Sequence, residues 1–119
     1  MIPNHAQFID AIRDKKLVRI VFYSLPDAGK VDRECVPLDY GPEPGAIDAL
    51  NHYWIWDEAN TAGKNPLGLL PAQIVELRVL GKDFDPGKYP LSTRPWSVPR
   101  NWNEQSDLRA LPNPLATAK

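Results

Sequence analysis

The sequence predicts an α+β chain that is mainly β: a small five-stranded antiparallel barrel, an N-terminal helix to cap it, and a proline-rich C-terminal extension. Three observations lead there. Short runs of β-branched and aromatic residues alternate with turn formers as far as Gly81. Only one stretch, near the N-terminus, has apolar residues at helical spacing. The chain has 13 prolines in 119 residues, about twice the usual share if roughly 5% is typical, which leaves little room for continuous helix.

The helix is expected over residues 4–15. Asn4 and Gln7 have the spacing of a capping box, Phe8, Ile9 and Ile12 form one stripe, and Arg13, Lys15 and Lys16 complement the C-terminal dipole. Leu17–Tyr23 alternates as a first strand, and Pro26-Asp-Ala-Gly29 makes a turn. Val31–Leu38 is the antiparallel partner, with Asp32 and Glu34 on a solvated face and Pro37 marking its end or an edge. Gly41-Pro-Glu-Pro-Gly45 opens a loop that runs to about Leu50.

The densest stretch follows. Asn51–Asp57 reads Asn-His-Tyr-Trp-Ile-Trp-Asp and is expected to be a central strand covered on both faces. Alternation puts His52, Trp54 and Trp56 on one face and Tyr53, Ile55 and Asp57 on the other. The Trp54/Trp56 pair is expected in the core beneath the helix, against Phe8 and Ile12. Glu58–Asn65 is a hairpin loop, Pro66–Leu70 a short strand, Pro71-Ala-Gln73 a tight 3₁₀-like turn, and Ile74–Leu80 a last strand closed by Gly81. Closing such strands into a barrel would hide their edges. The domain is placed at 1–81 and the extension at 82–119. The extension holds six of the thirteen prolines, and Trp96 and Trp102 are its docking anchors.

A net charge of −1 gives no field that would attract nucleic acid or an anionic membrane. Cys35 is the single cysteine, so disulfides and cysteine metal sites are excluded within the chain, and a cytoplasmic setting is expected. No apolar run reaches the ~18 residues of a membrane span. No metal-ligand spacing, phosphate loop or acid/base pair stands out, so no cofactor and no enzymatic activity are expected.

The order of elements, with Ala11-Ile12, Ile20-Val-Phe-Tyr23, Arg33-Glu-Cys-Val-Pro-Leu38, Tyr53-Trp54-Ile55 and Gln73-Ile-Val-Glu-Leu77, resembles the WYL domain, an SH3-like (Sm-like) barrel common in bacterial transcriptional regulators. The resemblance covers roughly residues 6–81. It implies a ligand-sensing, regulatory module for nucleotides or nucleic acid. The family's arginines near the last hairpin have no counterpart, since Gln73 stands where one is expected. Only sixteen residues precede the first strand, so direct DNA binding is not expected.

For a small anionic or nucleotide-like ligand the candidate site is Tyr23, Arg33, His52 and Tyr53. The guanidinium would hold a phosphate or carboxylate and the rings would stack on a base. The alternative is a protein-interaction or homodimer module in which Trp96 and Trp102 dock on a partner subunit. Cys35 is expected to be an inert thiol, and Asp57-Glu58, Asp83 and Asp85 to be turn carboxylates.

Overall fold

The computed structural model describes residues 1–24, 28–43, 45, 47, 49–59, 65–89, 96–100 and 102. The turn expected at 26–29 and the loop at 58–65 lie partly outside these residues, and the tail after Trp102 lies wholly outside them.

Helix α1 spans His5–Asp14 and buries Phe8, Ala11 and Ile12 along one stripe. It ends at Lys15, which turns into the left-handed region at φ 59° and returns its N–H to the carbonyls of Ala11 and Ile12. The expected capping box is not formed, because the Asn4 side chain is used elsewhere: its amide donates to the Leu77 carbonyl at 2.6 Å. A helix this short is marginal alone. Burial of Phe8 and Ile12, each 0% exposed, contributes about 1.5–3 kcal/mol apiece and docks it.

The strands are β1 (Lys16–Ser24), β2 (Gly29–Pro42), β3 (Asn51–Trp56), β4 (Leu67–Leu69) and β5 (Ile74–Asp83). They form one antiparallel sheet in the order β4-β3-β2-β1-β5. A single 3₁₀ turn, Pro71–Gln73, links β4 to β5 as expected. The sheet is open: among the described residues β4 and β5 are its two edges and do not pair. With three residues, β4 has little ladder to offer a closing partner.

β2 is longer than expected and runs straight through Pro37. Its first half, to Cys35, pairs with β1, and its second half, from Val36, pairs with β3. The register shifts between Pro37 and Asp39, so the residue without an N–H stands next to an irregularity in the ladder, where proline is tolerated. Gly41 and Pro42, expected in a loop, are the last residues of β2 opposite His52 and Asn51. β5 likewise continues past Gly81 to Asp83, so a boundary at residue 81 falls inside a strand.

The core lies between α1 and the sheet. Val18, Ile20, Phe22, Leu38, Tyr53 and Ile55 are all at most 1% exposed. The ring beneath the helix is Tyr53, which meets Phe8 edge-to-face at 5.0 Å and 88°. Trp54 is buried in the core and Trp56 packs against it, as expected, but their place beneath the helix is corrected. The helix lies on the odd-numbered face of β3, so strand alternation turns both indoles away from it. Trp54 instead donates its indole N–H to the Gly41 carbonyl at 3.0 Å and lies over Gly68, where a Cβ would come within 2.7 Å of the ring.

Candidate functional site

The four residues expected to form an anion site do not converge. Tyr53 is fully buried; its hydroxyl accepts the Ile2 N–H at 3.1 Å and bonds His5 Nδ1 at 2.9 Å. Burial raises its pKa, the Ile2 contact opposes the rise, and Tyr40 adds to it. Tyr23 is 51% exposed and pairs with Lys30 near the start of β2, whereas His52 pairs with Gly41 near its end. His52 bonds the Leu50 carbonyl through Nδ1 and tilts over Trp54.

Arg33 faces inward and forms an ion pair with Asp57 at 2.7 Å. Asp57, 1% exposed, also accepts the Ala59 N–H through Oδ1, and its backbone is bridged by the Asn65 side-chain amide in both directions. The pair ties β2 to the start of the β3–β4 connection, which is a structural role. Cys35 neighbours it on β2. Burial pushes its thiol well above the usual range, and the Asp57 charge adds to the shift, so the thiol is unreactive. Gln73 is a staple. Its Oε1 accepts the Leu70 N–H at 2.9 Å and its Nε2 donates to the Tyr23 carbonyl at 3.3 Å.

Trp96 and Trp102 are engaged by their own chain through a strap, residues 96–100 and 102, that packs on β2. Asp39 and Arg100 form an ion pair at 3.0 Å with side chains only 4% and 2% exposed. The N–H groups of Ser97 and Val98 both donate to the same carboxylate at 2.9 Å, and Arg100 also donates to the Leu38 carbonyl. The guanidinium carbon lies 4.1 Å from the Trp96 ring centroid and 4.5 Å from that of Trp102, a double cation–π arrangement. Trp102 donates to the Ile12 carbonyl and packs edge-on against Phe84. Burial lowers the Arg100 pKa to about 10, with Asp39 opposing the fall. The sequence marks the two indoles, but Asp39 and Arg100 are 61 residues apart and only the fold joins them.

A cleft of about 430 Å³ opens beside the strap, lined by residues of β1, β2, β3, the start of the β3–β4 connection, the end of β5 and the segment after it. Leu17, Val36 and Phe84 supply its apolar wall. By alternation Leu17 and Glu34 lie on the sheet face opposite Val18 and Cys35. The Trp56 and Tyr89 rings stand 5.6 Å apart at 60°. Among the described residues four carboxylates, Glu34, Glu58, Asp83 and Asp85, share the lining with one cation, Lys88. Two of the four are offset from outside the lining, Glu34 by Lys82 and Asp83 by Lys16. Burial raises the Tyr89 pKa, and the nearby Glu58 and Asp85 raise it further. Trp56 and the turn carboxylates are visible in the sequence as separate features. Their assembly depends on the 3₁₀ turn Pro86–Lys88, which brings Tyr89 back to β3.

Compared with known proteins, the chain matches no family model, no curated sequence and no solved structure. None of the described helices is long and apolar enough to cross a membrane.

Proposed function

We propose that this chain is a non-enzymatic binding module on a WYL-like plan, that its ligand site is the Trp56/Tyr89 cleft, and that the ligand presents an organic cation such as an alkylammonium or guanidinium group. The helix followed by five antiparallel strands in the order β4-β3-β2-β1-β5 supports the plan. The observation that carries the ligand class is the lining of the cleft: two aromatic rings beside four carboxylates, two of them already paired with Lys16 and Lys82, and one lysine. Ring faces attract cations by about 0.5–1 kcal/mol at exposed sites and about 2 when desolvated. Surplus carboxylates add long-range attraction and repel phosphates. This ligand class is opposite in charge to the nucleotide-like one that the resemblance implies. The preference rests on the dispersal of Tyr23, Arg33, His52 and Tyr53 in the fold.

The test is a thermal-shift and tryptophan-fluorescence titration at low salt with spermidine, arginine ethyl ester and tetramethylammonium, run beside AMP and short oligonucleotides. A ligand at a hundredfold excess over Kd stabilises the folded state by about 2.7 kcal/mol. The cations are expected to raise the midpoint, with the effect lost in Trp56→Ala and in Glu58→Lys. A shift produced by the nucleotides and by none of the cations would overturn the assignment and return attention to Arg33.

A further inference from the structure

Strand β5 is one edge of the open sheet, and its sequence is symmetric about Leu77. Outward from that residue the two directions give Arg78 against Glu76, Val79 against Val75, and Leu80 against Ile74. An antiparallel strand paired with a copy of itself about a two-fold axis sets each position opposite its mirror position. Centred on Leu77, such a pairing would place Glu76 against the partner copy's arginine and Arg78 against its glutamate, with valine facing valine on either side.

The surroundings of β5 leave these groups available. Val75 is 49% exposed and Val79 38%, although Val79 stands opposite the buried Val18 in the β1 ladder. Among the described residues neither Glu76 nor Arg78 forms an ion pair. Arg78 lies directly opposite Arg19 within the chain, a like-charge pairing that Arg19's own ion pair with Asp32 at 3.0 Å offsets only in part. A carboxylate arriving from the free side would relieve it. The ladder with β1 is irregular at Val75 and again beyond Val79. Such irregularities twist an edge away from partners, so fully regular self-pairing is confined to Glu76–Arg78, with the Val75/Val79 pairs at its irregular margins.

We propose that the occupant of this edge is a second copy of the chain, joined β5 to β5 about a two-fold axis through Leu77. The charge pattern argues for a copy of the same chain, since Glu76 and Arg78 complement each other only when the strand meets itself in this register. The Leu77 carbonyl at the axis already accepts the Asn4 amide, and pairing there uses its second lone pair. The short regular segment makes this a weak, concentration-dependent dimer.

Sedimentation velocity over a concentration series tests it on the full chain, with E76R, R78E, the double swap E76R/R78E, and an equimolar mixture of the two single variants. The wild type and the double swap are expected to dimerise. Each single variant should have its dimer dissociation constant raised about tenfold or more. The mixture of single variants should form a 1:1 heterodimer, because each supplies the charges the other has lost. A wild type that stays monomeric up to its solubility limit overturns the proposal. So do single variants that dimerise as well as the wild type. Masses beyond a dimer also overturn it, since they would indicate head-to-tail pairing of β5 with β4. Far-UV circular dichroism checks that each variant is folded. Where a reversal unfolds the chain, E76Q and R78Q replace it, with a smaller weakening expected.

Discussion

Replacing Arg100 by Met removes the cation from an ion pair whose two side chains are 2% and 4% exposed. Asp39 would keep the Ser97 and Val98 N–H donors but lose its ion pair with the guanidinium, and the Leu38 carbonyl would lose its bond from the same group. Breaking a buried pair from one side costs about 3–5 kcal/mol, because the remaining charge stays desolvated. A domain of this size has about 5–15 kcal/mol in total, so the loss is a large fraction of it. With a urea m-value of about 1–3 kcal/mol/M, the unfolding midpoint should fall by one to several molar. Equilibrium urea unfolding, followed by far-UV circular dichroism, measures it. Hydrogen exchange at the Ser97 and Val98 amides reports whether the strap opens before the sheet does. The double variant Arg100→Met/Asp39→Asn should recover part of the loss, since Asn keeps an acceptor for both amides and carries no charge. If Arg100→Met costs under about 1 kcal/mol and both amides stay as protected as before, the strap does not depend on this pair and the reasoning fails.

Three further outcomes follow from the packing. Gly68→Ala should destabilise by about 1–3 kcal/mol, because a Cβ there meets the Trp54 ring at 2.7 Å; thermal unfolding measures it, and an unchanged midpoint would mean that Trp54 moves aside freely. His5 has its pKa lowered, first by burial and then by the charge of the amino terminus. The folded state therefore binds its proton less readily than the unfolded state does, and stability should be lost as pH falls below about 6.5. His5→Gln should flatten that part of the urea-midpoint profile. Cys35, 1% exposed with its thiol pKa raised by burial, should react with a disulfide reagent only on the timescale of unfolding; rapid labelling of native protein would contradict the packing around β2.

By itself the sequence determined which elements form and in what order, though not the full reach of β2 and β5. Period-two runs announced each strand, the Phe8/Ile12 stripe announced the helix, and Pro71-Ala-Gln73 announced its turn, because these signals are local and act within a few residues. The tertiary structure decided what each face meets. Strand alternation sorts the side chains of β3 into two sets, but only the docking of α1 makes the Tyr53 set the core and leaves Trp56 to the cleft. Pro37 reads as a strand end in sequence, yet β2 carries it at the point where its pairing passes from β1 to β3. The site was less legible still. Tyr23, Arg33, His52 and Tyr53 belong to neighbouring strands and were dispersed by register. Trp56 with Tyr89, and Asp39 with Arg100, are far apart in the chain and met through long-range packing. The physical reason is that hydrogen-bonding periodicity and turn chemistry are encoded residue by residue. Which buried charge finds its partner, and which ring faces solvent, depends on how whole elements pack.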